Sequence, residues 1–421
     1  MSRLHDATGA ARVLTPHARA RRILERLDVL FEIGRAAGTN REGLGPREQR
    51  AFELVAGWMQ DAGLDVRFDA AGNVAGRLRG SDPGLPEVWS GSHLDTPPDG
   101  GRFDGALGTL LALDAAEAMR GGGPPRRSVA AMAFRLEEGP RFGRGVFGSR
   151  AVCGMLEDDE GDLRDPDGVT LAEAFAALGY GELPTAGWLA PAPACFVEAH
   201  IEQGPTLAAA AAPLGIVTSI AGMAGIEFTF KGRRGHAGTV PMPLRSDALG
   251  AAAQLVVAAH DVARSLPAAV ATVGRMAVLP GATNTIPERC ELFADLRAPD
   301  REGLDALLAG VVEAATNAAI AASCTVVIEP RWRYEPVVMH DGPRGALARA
   351  VAGLGLTPVE LPSGAGHDAA IFALAGVPSA MLFVRSDAGG VSHAPEEHTR
   401  PDAVVFAVQA LEAALRELAG A

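Results

Sequence analysis

From about Ala18 to Gly63, apolar residues recur at helical spacing, with Ile23, Leu24, Leu27, Leu30 and Phe31 on one face and Phe52, Leu54, Val55, Trp58 and Met59 on a second. Two helices are predicted there. The period then shortens to two in Asp65-Val66-Arg67-Phe68-Asp69 and in Asn73-Val74-Ala75-Gly76-Arg77-Leu78, which a turn-like Ala70-Ala71-Gly72 joins. Glu87-Val88-Trp89 opens a strand that ends at His93. An alanine- and leucine-rich helix follows from Leu107 to Met119, stopped by Gly121-Gly122-Gly123-Pro124-Pro125. Val129 to Phe134 is a near-continuous apolar strand of the sort buried in a parallel sheet. Strand, helix and strand, with polar residues at the strand ends, is the arrangement in which open α/β sheets gather their sites.

A mixed segment with a helix at Leu171 to Leu178 leads to another apolar strand that ends in polar residues, Cys195-Phe196-Val197-Glu198-Ala199-His200-Ile201-Glu202. From Gly215 the texture changes. β-like runs at 215–220, 225–230, 273–278, 290–297 and 325–330 alternate with helices at 247–264 and 303–322, which is a compact α+β sandwich plan of the ferredoxin-like kind. Residues 215–331 are therefore expected to form an inserted domain. Residues 1–214 and 332–421 are expected to form one discontinuous α/β domain, the second part supplying elements at 346–354, 369–375, 379–384 and 402–418.

Length agrees with two domains, since 421 residues exceed what one core normally supports. Acidic residues outnumber basic ones, 51 to 38, for a formal charge of -13, so nucleic acid and anionic membrane are poor partners. The opening Met1-Ser2-Arg3-Leu4-His5-Asp6 has no apolar signal-peptide core, and no run of about 18 uninterrupted apolar residues occurs. A soluble, cytoplasmic protein is expected. Cys153, Cys195, Cys290 and Cys324 lie far apart and make no Cys-x-x-Cys pair, which argues against a disulfide framework or a thiolate zinc site.

The chemistry gathers at strand ends and turns: His93 with Asp95 two residues on, Asp104, the adjacent Glu137 and Glu138, His200 and His393. Asp95 aside, three histidines with three carboxylates suit zinc or a similar divalent ion. Two ions are the economical reading, because a bridging carboxylate such as Asp104 lets five side chains serve ions about 3.5–4 Å apart. Asp95 reads as the group that orients His93. Of the two glutamates, one would bind metal and the other accept a proton from the attacking water, and spacing alone leaves their order open. His5, His17, His260, His340 and His398 have no partners in spacing, and Glu396 and Glu397 read as capping or supporting groups.

Gly-Ser-His-Leu-Asp-Thr at 91–96, Gly-Gly-Arg-Phe-Asp-Gly at 100–105, Glu-Glu-Gly-Pro-Arg-Phe at 137–142, His-Ile-Glu-Gln-Gly-Pro at 200–205, Gly-His-Ala-Gly-Thr at 235–239, Gly-Ala-Gly-His-Asp at 364–368 and Ser-His-Ala-Pro-Glu-Glu at 392–397 resemble the hydantoinase/carbamoylase amidase branch of the dinuclear M20 metallopeptidase superfamily. The likeness runs in order from about residue 20 to 415. It implies a zinc-exopeptidase-like catalytic domain, with a mixed sheet flanked by helices, and an inserted lid domain that makes a homodimer. It implies two divalent ions, Zn2+ or Mn2+, Co2+ or Ni2+, with His93 and His200 on one, Glu138 and His393 on the other, Asp104 bridging and Glu137 as general base. By the same resemblance Gln203, His236, Asn284 and Arg297 touch substrate, and His236 reaches the neighbouring subunit's site. His367 has two readings, a substrate contact or a residue ordering its glycine-rich loop. Arg297 has a plainer one as a surface ion-pair residue.

The activity this implies is hydrolysis of a C-N bond in a small N-carbamoyl or ureido acid, N-carbamoyl-L-amino acids first. An activated water attacks the carbonyl, His236 or Asn284 supports the oxyanion, Arg297 clamps the carboxylate, and ammonia and carbon dioxide leave. Allantoate amidohydrolase is the nearest alternative, followed by β-ureidopropionase, an M20 aminopeptidase and a metal-bound binding protein without turnover. Two departures from the family pattern, Pro97-Pro98 and Arg385, leave the identity of the substrate acid open.

Overall fold

The computed structural model describes residues 14–421 except 186, 188 and 190. The opening segment, with His5 and the expected lack of a signal sequence, lies outside the described residues. Contacts divide the chain into two units. One runs to Thr218 and adds Met339–Leu361 and His367–Ala421, and the other is Ser219–Val338 with Pro362–Gly366. The division falls after Thr218 rather than at 214. The strand Leu214–Ile220 pairs with Ser379–Val384 in the large sheet, where the sequence reading began the insert with it. Its period-two pattern is the same whichever sheet receives it.

Among the described residues the large sheet has nine strands. At its centre Val129–Phe134, Val88–His93, Cys195–Ile201 and Ser379–Val384 lie side by side and parallel. Antiparallel neighbours flank them, Val74–Leu78 on one side and Leu214–Ile220 on the other. These central strands are buried on both faces, as the continuous apolar runs of Val129–Phe134 and Ser379–Val384 require, and Cys195–Ile201 is buried throughout although it carries Glu198 and His200. The helix Ala106–Met119 is hydrophobic nearly all round because it is itself core. Leu107, Leu110, Leu111 and Leu113 are buried completely or nearly so, each contributing roughly 2 kcal/mol of transfer free energy. It lies so close to the sheet that a Cβ on Gly108 would stand 1.9 Å from the carbonyl oxygen of Ala199. The two acidic residues of this helix are paired with the helix Pro16–Phe31, Asp114 with Arg19 and Arg22 and Glu117 with Arg22.

The second unit has a four-stranded antiparallel sheet in the order Thr325–Tyr334, Gly222–Lys231, Arg289–Ala298, Val270–Leu279. The helices Ala248–Ser265 and Arg301–Ala321 cover one face, burying Phe228, Phe230, Leu292 and Leu296. By length and composition Arg301–Ala321 is apolar enough to cross a membrane, yet its Leu304, Leu307, Val311 and Ala315 are buried in this unit.

Candidate metal centre

Four parallel strands side by side open their carboxyl ends on the same side of the sheet, and each end carries chemistry. His93 closes Val88–His93, with Asp95 two residues beyond. Glu137 and Glu138 follow Phe134, and His200 is the next-to-last residue of Cys195–Ile201. His393 lies in the connection after Ser379–Val384. Asp104 sits just ahead of the helix Ala106–Met119, behind Gly105 with φ 60°. That glycine is dictated twice, by its left-handed backbone and by the His93 ring, which a Cβ would meet at 2.4 Å.

The Asp104 carboxylate divides its two oxygens between two groups of donors. Oδ1 stands 3.1 Å from Nε2 of His200 and 3.5 Å from Nε2 of His93, while Oδ2 stands 3.2 Å from Nε2 of His393. Glu138 Oε1 is 3.3 Å from that same His393 nitrogen. Ligand atoms of His93, Asp104 and His200 all lie within 4.8 Å of one another, and so do those of Asp104, Glu138 and His393. Both buried imidazoles turn Nδ1 toward backbone: His200 Nδ1 is 2.9 Å from the Ile201 carbonyl and His93 Nδ1 is 3.2 Å from the Asp95 carbonyl. Protonated there, each keeps a lone pair on Nε2, and the Gly105 N-H donates to that of His200 at 3.3 Å. Converging nitrogen and oxygen donors of this kind fit divalent cations.

Asp95 fastens the paired glutamates: its two oxygens accept the backbone N-H groups of Glu137 and Glu138, each at 3.0 Å, and Oδ1 lies 3.5 Å from His93 Nδ1. One carboxylate thus orients a histidine and a turn at once, where the sequence suggested the histidine alone. Burial drives the Glu137 carboxyl well above the ordinary range, against the pull of His93 and with Glu138 adding to the rise. Its Oε2 is 3.9 Å from His93 Nε2. The cluster opens toward His393, whose side chain is 50 % exposed against 2 % for His93 and 1 % for His200.

Gln203 donates from Nε2 to Asp104 Oδ2 at 2.8 Å and to Ser392 Oγ at 3.2 Å, and its buried Oε1 has no partner among the described residues. Three groups support the cluster: Glu397, which the sequence reads as a supporting residue, and Glu198 and Asp368, which it does not single out. Glu397 Oε1 accepts the Phe103 and Asp104 N-H groups at 2.6 and 3.0 Å, while its Oε2 accepts from Ser392 Oγ at 2.9 Å, so it ties the Asp104 turn to the His393 loop. Glu198 accepts from Ser92 Oγ at 2.7 Å and from the Ala369 N-H at 2.9 Å. Asp368 accepts from Ser149 Oγ at 2.6 Å, and burial followed by Glu198 pushes its carboxyl up to about 8. A glutamate inside the otherwise apolar Cys195–Ile201 strand was the available signal for Glu198. His367, buried, packs its ring edge-on to His200 with centroids 4.6 Å apart.

His236, Asn284 and Arg297 belong to the second unit. His236 lies in the two-residue strand Gly235–His236, which pairs with Thr285–Ile286, and the Ala237 N-H donates to the Asn284 carbonyl at 2.9 Å. Arg297 lies on Arg289–Ala298 and is paired with Asp295.

Fold and donors together define an α/β protein with two donor triads, sharing Asp104, that could hold divalent cations. The chain belongs to the peptidase family M20/M25/M40, whose model matches residues 89–417. It is 40 % identical over 392 residues to an N-carbamoyl-L-amino acid amidohydrolase of Geobacillus stearothermophilus, covering 92 % of this chain and 95 % of that one. It is 35 % identical over 367 residues to an allantoate amidohydrolase of Bacillus subtilis, covering 86 % and 88 %. Among solved structures it matches an amidase of the hydantoinase/carbamoylase family from Burkholderia multivorans with TM-score 0.87 and 31 % identity, covering 96 % of this chain and 98 % of that one.

Proposed function

We propose that this protein is a divalent-metal amidohydrolase that cleaves the C-N bond of a small N-carbamoyl or ureido acid, with N-carbamoyl-L-amino acids as the first substrate class. The observation that carries the reading is the Asp104 carboxylate, one oxygen turned to His93 and His200 and the other to His393, with Glu138 beside His393 and Glu137 beside His93. His93 and His200 would hold one ion, Glu138 and His393 a second, with Asp104 between them. Two such ions supply a water of lowered pKa and polarise the carbonyl under attack.

The remaining work falls to the chain's own groups. Glu137 takes the water's proton and delivers it to the departing nitrogen, a task suited to a carboxylate that stands beside the donor cluster, its Oε2 3.9 Å from His93 Nε2. Gln203, with its amide nitrogen committed to Asp104 and Ser392, would touch the substrate beside Asp104. His236 and Asn284 donate to the carbonyl oxygen as it gains charge, and Arg297 holds the substrate carboxylate. The second unit is the substrate-binding insert and the dimer contact. Its exposed Val257 and Ile320 on the helices, and Val270, Met276 and Leu279 on an edge strand, support a homodimer.

The test offers purified protein with manganese, cobalt or zinc N-carbamoyl-L-methionine, allantoate, β-ureidopropionate and a dipeptide, and measures ammonia or free amine. Turnover of the carbamoyl acid above the rest is expected. Turnover of allantoate first would shift the assignment to the second class of relative, and silence on all four would leave a binding protein. Glu137→Gln should cut kcat by at least about a hundredfold while metal content is unchanged; activity above a few per cent would remove Glu137 as the base.

A further inference from the structure

Asp295 and Arg297 alternate along Arg289–Ala298 and project from the sheet face opposite the helices, since Leu292, Ala294, Leu296 and Ala298 take the buried side. They are linked as closely as two side chains can be. Asp295 Oδ1 accepts from Arg297 Nε at 2.7 Å and Oδ2 accepts from Nη2 at 2.9 Å, and Nη1 donates to the Gly364 carbonyl at 2.8 Å. Three of five N-H groups are committed. Two remain, one on Nη1 and one on Nη2, to meet an anion. Gly225 pairs with Asp295 from the neighbouring strand, and the rings of Trp332 and Phe293 occupy the space that a side chain there would fill. The pair therefore stands against an aromatic wall.

A neutral Asp-Arg pair attracts an anion less than a lone arginine does. What it provides is direction, because an arginine normally loses rotamer freedom when it binds and this one has lost it already. We propose that Asp295 is a positioning residue for substrate recognition: it holds the Nε and Nη2 side of Arg297 so that the uncommitted N-H groups of Nη1 and Nη2 are presented to a planar monocarboxylate. This rests on the amidohydrolase reading above. It adds a specificity, since a carboxylate matches two parallel N-H groups while a carboxamide offers one acceptor and one clashing donor.

The experiment compares N-carbamoyl-L-methionine with its carboxamide in the metal-loaded enzyme. Asp295→Ala should raise KM for the acid roughly tenfold with kcat within about twofold, and Asp295→Asn should fall between it and wild type. Neither variant should alter kcat/KM for the carboxamide, and Asp295→Ala should add nothing in an Arg297→Ala background. An unmoved KM, an equal loss on the carboxamide, additive losses in the double variant, or a fall confined to kcat would each overturn the role. Melting curves check folding, and if Asp295→Ala does not fold, the isosteric Asp295→Asn decides. A wild-type enzyme silent on every carbamoyl and ureido acid removes the amidohydrolase reading and this role with it. A working enzyme with an unmoved Asp295→Ala KM removes this role alone.

Discussion

In the larger unit Asp95, Asp104, Glu138, Glu198, Asp368 and Glu397 are all buried, and each carboxylate accepts from, or lies against, groups that another element supplies. In the second unit the chemistry-bearing residues lie on an open sheet face and a short exposed ladder, and the apolar residues Val257 and Ile320 are 62 % and 71 % exposed on the helices. Buried charge survives only through its partners, so the residues of the first cluster should behave as one unit. Exposed side chains answer for themselves, and substitutions among those of the second unit should add independently where they share no partner.

The largest effect should come from Asp104→Asn. An amide can turn an oxygen to only one triad, and its NH2 would face the nitrogens of the other, so both halves of the site are disturbed by one atom. Turnover should fall at least about a thousandfold, and cation affinity by more than the 10–100-fold typical of losing an outer hydrogen-bond partner. Titration calorimetry with manganese or zinc reads this directly, as does the rise in melting temperature on adding cation, which the variant should lose. A variant that still bound cation normally would show the cluster to be separable pairs rather than one unit.

Gly105→Ala tests the same cooperativity from the backbone. The new Cβ would meet the His93 ring at 2.4 Å, at a φ of 60° that L residues rarely adopt. A cost of about 1–3 kcal/mol in stability is expected, with cation affinity falling roughly tenfold because the ring must tilt. Chemical unfolding, measured with and without cation, separates the two: the gap between wild type and variant should widen when cation is present. Equal gaps would mean that the helix start yields and the ring stays put.

What could be read in advance follows from the range of each interaction. The strands Val129–Phe134 and Ser379–Val384 are continuous apolar runs between breakers, and their limits coincide with the sequence reading. The donors His93, Asp104, Glu138, His200 and His393 stood out because each is a polar residue where an apolar strand or a glycine turn ends. The pairings of their supports are hidden, since Glu198 meets the Ala369 amide across 171 positions, Ser149 meets Asp368 across 219 and Glu397 meets the Phe103 amide across 294. No local period encodes such pairings. The pairing of Gly235–His236 with Thr285–Ile286, two residues on each side, is too short to have a period at all. The Asp295-Arg297 pair is a different case, because its two-residue spacing was in plain view and only the choice between ion pair and substrate ligand was posed. The pair leaves two N-H groups of the guanidinium uncommitted, so the two readings are compatible.

The smallest energetic effect belongs to the exposed helix face of the second unit, where it also carries the most information. Val257→Glu and Ile320→Glu replace side chains that lie mostly in water in the single chain, so neither opens a cavity nor buries a charge there. Each should change the stability of the isolated chain by no more than about 0.5 kcal/mol, and the two should add. If this face is the dimer contact, the same changes place a carboxylate in an apolar interface, and the cost appears only on association. Light scattering behind size exclusion should then find wild type as a dimer and the double variant as a monomer, with metal content the same in both. A double variant that remains dimeric would move the contact off this helix face and leave the edge strand Val270–Leu279, with its exposed Val270, Met276 and Leu279, as the surface to alter next.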